Sequence, residues 1–380
     1  MSRNIALGAP TVGAEELEAV KRVFESGWLS GAGPACLALE RDFAEIAGVP
    51  DVLATSNCGA ALHLSLLALG VRPGDEIIVG DYTFPATGHS VRWAGATPVF
   101  VDVRPDIWSI DPALIESAIT PRTVGIIAVD PFGQPADMDE ILSIARKHGL
   151  WVVEDAACAS GASYRGRPVG SLADATAFSF HGRKGITSGE GGALASTRPE
   201  VIERARKLHT YGIAPAITRE ASQDLPVPQF DELGHNYRLS DVQAAIMGVQ
   251  IKRLPDLVDA RARVAAHYET LLGDLSHVSL PTALPDRGHV WQSYVITIDR
   301  RLDRGRVIMA LRERGVGCNI GTYASHLQPV YGPQRDLPVS ADLFRRHVAI
   351  PMHANLTDED IEYVAATVRE VVTDIASSTR

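Results

Sequence analysis

The chain has 380 residues, 46% hydrophobic and 22% charged, which is enough to bury a substantial core arranged as two domains. A net charge of -10 without any run of lysine or arginine argues against a nucleic-acid-binding protein. No apolar run approaches the roughly 18 residues of a membrane span. The N-terminus lacks a basic-then-apolar signal, so a cytoplasmic chain is expected. Cys36, Cys58, Cys158 and Cys318 are widely spaced with no CxxC pair, so reduced thiols are expected, with neither a disulfide framework nor a metal site.

Residues 13–26 read as a helix with acids in its first turn. Residues 27–34 are turn-forming, either lining a pocket or serving as a connector, and residues 37–47 read as a second helix. A short strand at 52–55 runs into Ser56-Asn57-Cys58-Gly59, with a helix at 60–69 directly after it. Strand, small-polar turn and helix together present backbone N–H groups to a phosphate, or else form a capped helix start with Ser56 or Asn57 as the cap. The turn is neither GxxxxGK[ST] nor GxGxxG, so a nucleoside triphosphate or a dinucleotide is not indicated. A strand at 77–79 is followed by Asp81-Tyr82-Thr83-Phe84, which puts an aromatic ring just beyond a strand end, where it can stack on a flat cofactor or pack in the core. Further strands at 97–101 and 123–129 alternate with helices at 112–118 and 138–148. This alternation predicts an α/β fold with a mostly parallel, doubly wound sheet, in which ligands lie at the carboxyl ends of strands.

The stretch 151–196 concentrates the chemistry. Glu154-Asp155 closes one apolar strand, and Lys184 follows a second at 175–180, with glycines crowding the exit at Gly189, Gly191 and Gly192. A lysine in a dry, glycine-tight turn beside a strand-end carboxylate suits a Schiff-base enzyme, because burial favours the neutral amine and an acid holds a pyridinium nitrogen protonated. Ser56, Phe84, Asp155 and residues 179–184 all fall at strand ends. After a helix at 199–209, the polar segment 213–231, with Pro215, Pro226 and Pro228, is expected to be a mobile cover. A long amphipathic helix from 242 to beyond 254 is expected to bridge to a smaller C-terminal domain, giving domains at 1–250 and 251–380. That second domain holds a strand at 292–298 and helices at 305–314 and 357–375. No internal repeat or low-complexity tract appears.

Seven stretches together resemble the DegT/DnrJ/EryC1/StrS group of pyridoxal-phosphate (PLP) aminotransferases. They are GWLSGAGP at 27–34, GDEIIVGDYTFPAT at 74–87, GATPVFVDV at 95–103, EDAACASGA at 154–162, FSFHGRKGITSGEGG at 178–192, GHNYRLSDVQAA at 234–245 and LPVSADL near 337. The resemblance covers roughly residues 5 to 370 and implies the fold type I aminotransferase architecture, with a large domain and a smaller C-terminal α/β domain. It further implies that Lys184 is the Schiff-base lysine, that Asp155 partners the ring nitrogen and that Phe84 stacks on the ring. Asn57, Cys58, Gly59 and Ser179 would hold the phosphate, and Asn236 would reach the cofactor of a neighbouring subunit, making a homodimer with shared sites.

The chain departs from the family pattern at several positions. Cys158 stands where Gln or His is usual, as a weak partner for the cofactor's 3-hydroxyl. Cys58-Gly59 replaces a Gly-Thr pair, and Gly182-Arg183 replaces Pro-Thr, so that Arg183 either meets a substrate anion or pairs with a surface acid. Residues 320–326 lack the Tyr- and Pro-rich pattern of many sugar-nucleotide members, and His181, Tyr323 and His326 are candidate acceptor contacts. The implied reaction moves the amino group of L-glutamate or L-glutamine, through the pyridoxamine form of the cofactor (PMP), to a keto-sugar, in the first instance a nucleotide-linked keto-6-deoxy sugar. Such a step belongs to amino-sugar or secondary-metabolite biosynthesis, including that of antibiotics. The alternatives are an inosose-like keto-cyclitol acceptor or a non-catalytic regulatory protein on the same fold. A sugar dehydratase of the same scaffold carries histidine at the lysine position, and Lys184 argues against it.

Overall fold

The computed structural model describes residues 3–213 and 229–378. The segment marked in the sequence as a mobile cover lies mostly outside the described residues. Two helices, α1 (Ala14–Ser26) and α2 (Pro34–Ala47), precede β1 (Asp51–Thr55) and α3 (Cys58–Ala68). There follow β2 (Glu76–Gly80), β3 (Tyr82–Thr83), α4 (Ala86–Trp93), β4 (Thr97–Val101), β5 (Thr123–Val129), α5 (Met138–His148) and β6 (Trp151–Asp155). Next come β7 (Ala175–Ser179), β8 (Gly192–Ser196) and α6 (Pro199–Leu208). These strands, β3 apart, make one seven-stranded sheet in the order β1-β8-β7-β6-β5-β2-β4, parallel except for β8, which runs antiparallel to both of its neighbours.

Burial explains the sheet. Every residue of β2 and β7 is buried, as expected for strands covered on both faces. One face packs Ile78, Val101, Ile126 and Val152 against Ile141 and Ala145 of α5. The other packs Ile77, Val79, Ile127 and Val153 with Leu62, Leu64 and Leu66 of α3. Helix α3 has no polar stripe, and its residues Ala60 to Leu66 are all buried, which marks a helix enclosed by its neighbours rather than a surface one.

The C-terminal part is built around a four-stranded sheet. Helices α7 (Asp241–Gln250) and α8 (Leu254–Leu272) lead into β9 (Val278–Ser279), β10 (Tyr294–Ile298), α9 (Arg304–Glu313), β11 (Asn319–Ile320) and β12 (Tyr323–Ala324). Then follow α10 (Pro338–Arg346), β13 (His347–Ile350) and α11 (Asp358–Ser378), and the sheet order is β9-β10-β13-β11. Alternation along β10 divides two cores. Tyr294, Ile296 and Ile298 face α8, α9 and α11, whereas Val295 joins Tyr82, Trp108 and Phe132 from the first part of the chain. The short strand β12 instead pairs with β3, tying residues 323–324 to the end of the large sheet. Among the described residues no helix is long and apolar enough to cross a membrane.

Some boundaries differ from the sequence reading, each for a local reason. Helix α2 begins at Pro34, not Leu37, because the Asp241 carboxylate accepts the N–H groups of Ala35 and Cys36, each at 3.0 Å. Residues 112–118 divide into an α turn (Pro112–Ile115) and a 3-10 turn (Glu116–Ala118). The long helix expected from 242 is likewise two helices, α7 and α8, joined by a 3-10 turn at Ile251–Arg253 with Pro255 in the first turn of α8.

Candidate active site

Lys184 lies in the loop between β7 and β8, and that loop is held from several directions. Its own N–H donates to the His181 carbonyl at 2.8 Å, and Gly182 N–H donates to Gly189 at 2.8 Å. Gln292 donates to the Arg183 carbonyl at 2.9 Å, and the buried Arg261 guanidinium donates to the Gly185 carbonyl. The backbone on both sides of the lysine is therefore fixed, and its Nζ comes to 3.2 Å from Cys158 Sγ. Burial works against the ammonium, but Cys158, then Cys58 and Asp155, more than offset it and hold the pKa above the ordinary lysine value. Burial also drives the Cys58 thiol well above its ordinary range. Among the groups that favour the Lys184 ammonium, Asp155 is the carboxylate.

Asp155 ends β6 and is buried. Its Oδ2 accepts from Thr87 Oγ1 at 2.6 Å and its Oδ1 from the Ala157 N–H at 3.2 Å. Burial raises its pKa, while Thr87, Ala157 and the charge on Lys184 act in the opposite direction. A buried carboxylate with two neutral donors and one cation nearby remains receptive to a further cationic N–H.

The turn before α3 lies at the same end of the sheet. Asn57 is the cap, its Oδ1 accepting Ala60 N–H at 2.8 Å. Cys58 and Gly59 are the first two helical residues, so the helix starts two residues earlier than the sequence suggested, and their N–H groups have no acceptor within it. In sheet register Thr55, Gly192 and Ser179 lie side by side across β1, β8 and β7, which brings Ser179 to this turn. Gly192 makes that approach possible, since a Cβ there would sit 2.6 Å from both Asn57 C and Cys58 N. Phe84 follows β3 with 61% of its surface exposed, and Tyr323 meets it edge-on at 6.1 Å.

The other candidates have varied surroundings. His181 Nδ1 accepts the Arg183 N–H at 3.2 Å and its Nε2 lies 3.7 Å from Glu190; Arg183 is exposed. His326 is buried, with its N–H and its Nδ1 each 2.7 Å from the Asp81 carboxylate, and its Nε2 is buried without a partner among the described residues. Exposed Asn236 is bridged through its backbone to Thr210 and does not cap α7, a role taken by Ser240. The segment beside it touches the phosphate-type turn of its own chain, with Ser56 N–H donating to Tyr237 O at 2.7 Å. Thr87 and Asp81 escaped the sequence reading. The available signal was the placing of polar residues on both sides of Phe84, which ring stacking alone leaves unexplained.

The model of the DegT/DnrJ/EryC1/StrS aminotransferase family matches residues 10–369. The chain is 36% identical over 373 residues to the spore coat polysaccharide biosynthesis protein SpsC of Bacillus subtilis (strain 168), covering 96% of each. It is also 36% identical over 373 residues to the GDP-perosamine synthase of Caulobacter vibrioides, covering 97% of this chain and 98% of that one. Among solved structures it resembles the aminotransferase TlmJ from Streptoalloteichus hindustanus, at a TM-score of 0.91 and 34% identity over 98% of this chain and 100% of that one. It also resembles the PMP-form of the putative sugar aminotransferase Spr1654 from Streptococcus pneumoniae, at a TM-score of 0.93 and 26% identity over 98% and 100%.

Proposed function

This chain belongs to the DegT/DnrJ/EryC1/StrS family of PLP-dependent sugar aminotransferases, and we propose that it moves an amino group from L-glutamate or L-glutamine to a nucleotide-linked keto-6-deoxy sugar. The single observation that carries the reading is Lys184 Nζ held 3.2 Å from Cys158, with the charge of buried Asp155 acting on it. A nucleotide-linked acceptor is supported by the GDP-perosamine synthase relative, matched over nearly its whole length.

The residues present fit the cofactor. Asp155 is a buried carboxylate with room in its ionisation balance for a cationic ring nitrogen. Asn57, Cys58 and Gly59 at the start of α3, with Ser179, supply the small side chains and first-turn N–H groups that suit a phosphate. Phe84 offers an exposed ring to one face, and Cys158 Sγ lies beside Lys184 Nζ. When bound, PLP supplies an aldehyde for the lysine amine and an electron-poor ring that accepts the electron pair left when a proton leaves the substrate carbon.

The chain's own part is to place charge and move protons. Asp155 holds the ring nitrogen as a cation. That contact also balances the aspartate's charge, so burial then acts on Lys184 with less opposition. Neutral Lys184 Nζ would take the proton from the donor's α-carbon and return it two atoms away, across the amino nitrogen, to the carbon that carries the cofactor's aldehyde. It reverses the transfer when the acceptor ketone is in place. His181, Arg183, Tyr323 and His326 are proposed to line or support the acceptor side, and Asn236 to serve the site of a second subunit in a homodimer. The proposed domain division falls between α7 and α8, near residue 250. A cytoplasmic location and a place in amino-sugar or antibiotic biosynthesis complete the proposal.

The test is a single turnover. The chain loaded with PMP is mixed with a panel of nucleotide-linked keto-sugars and keto-cyclitols while the visible absorbance of the lysine-bound cofactor is followed. Its return with a nucleotide-linked keto-sugar supports the reading, and its return with cyclitols alone would replace the acceptor. No return with any ketone would overturn the assignment.

A further inference from the structure

Two hydroxyl groups outside the assigned site form a chain that ends on Asp155. Thr83 Oγ1 lies 2.8 Å from Thr87 Oγ1, both side chains are buried, and Thr87 Oγ1 lies 2.6 Å from Asp155 Oδ2. Thr87 has one hydroxyl hydrogen and three possible acceptors for it, Asp155 Oδ2, Thr83 Oγ1 and the Phe84 carbonyl at 3.2 Å. The shortest contact, to a charged acceptor, takes the hydrogen. Thr87 oxygen is then free to accept from Thr83, so both donors point in sequence toward the carboxylate. Thr83 is itself fixed by the β3–β12 pairing, opposite Tyr323, and Thr87 by the first turn of α4.

We propose that Thr83 and Thr87 are positioning residues for Asp155, a hydroxyl relay that keeps its carboxylate ionised and leaves the shared proton on the cofactor's ring nitrogen. This rests on the reading of Asp155 as the partner of that nitrogen. A donor to the charged form of an acid lowers its proton affinity. Without the relay, Asp155 would be a buried carboxylate whose burial alone favours taking the proton for itself. The other titratable groups that act on Asp155, or on which it acts, are Lys184 from the β7–β8 loop, Cys58 at the start of α3 and Asp130 beyond β5. Burial raises both Cys58 and Asp130, and what opposes burial at Asp155 is the Thr87 hydroxyl, the Ala157 N–H and the charge on Lys184.

The test begins with the cofactor-free chain, its aspartate carboxyl carbons labelled for NMR and the Asp155 signal identified by its loss in Asp155→Asn. Thr87→Val should raise the titration midpoint of Asp155 by about one pH unit or more, and Thr87→Ser should restore it. Thr83→Val should raise it by less, and this variant carries the test if Thr87→Val fails to fold. A midpoint unchanged in both valine variants, or a serine variant that behaves like valine, overturns the relay. In the chain loaded with PLP labelled with nitrogen-15 in the ring, Thr87→Val should lower the protonated fraction of that nitrogen, and an unchanged fraction overturns the second half of the proposal. Failure of the unaltered chain to take up PLP would instead overturn the reading of the site, and the carboxyl titration would still decide the relay.

Discussion

Glu154 precedes Asp155 on β6 and is fully buried. Its Oε2 accepts from Thr176 Oγ1 at 3.3 Å, and its other neighbours are the Gly170 N–H and the carboxyl of Asp130. Burial moves its pKa from an ordinary 4.5 to about 7, although Gly170, Thr176 and Asp130 all favour the charged form. Asp130 is raised as well, through burial first and then the charge on Glu154. The sign follows directly. The folded chain keeps a proton on Glu154 that the unfolded chain gives up, so this contribution to stability is full below pH 4.5 and is lost as pH rises through about 7. At about 1.4 kcal/mol per pH unit the loss is about 3 kcal/mol. Glu154→Gln has the same shape, keeps an acceptor for Gly170 and has no charge to bury. Denaturant unfolding measured from pH 4.5 to pH 8 should therefore show the variant gaining on the unaltered chain as pH rises, by about 3 kcal/mol at the upper end. Parallel curves, or a variant that falls behind as pH rises, would refute the reasoning.

Other outcomes follow from single contacts. Asp241→Ala removes the acceptor of two N–H groups at the start of α2, and thermal or denaturant unfolding should show a loss of about 2–4 kcal/mol. Gly192→Ala drives a methyl group into the backbone of Asn57 and Cys58, so PLP affinity, measured by titration of the visible absorbance, should fall at least tenfold while the fold is kept. Cys158→Ala removes the group that most supports the Lys184 ammonium, so in the cofactor-free chain the pH dependence of Lys184 labelling by an amine-directed reagent should shift to lower pH.

Much of the sheet was readable because it depends on local pattern. The strands Thr97–Val101 and Thr123–Val129 and the helix Met138–His148 fall where the alternation of strands and helices put them. The reversed direction of β8 was not readable, since Gly192–Ser196 is as apolar as the parallel strands of the sheet and only its antiparallel pairing with β1 and β7 reveals it. The start of α2 depends on Asp241, about two hundred residues further along, which no local window contains. The candidate site divides in the same way. Lys184 and Asp155 stand out by residue type and strand-end position. The Cys158 contact and the Thr87 hydroxyl emerge only when loops from different strands are brought together.

The most direct measurement is to load the chain with PLP, reduce it with borohydride, digest it and locate the modified lysine by mass spectrometry. The account predicts the label on Lys184 and its absence from a Lys184→Ala chain. A label on Lys21, Lys147, Lys207 or Lys252, or none at all, would contradict it.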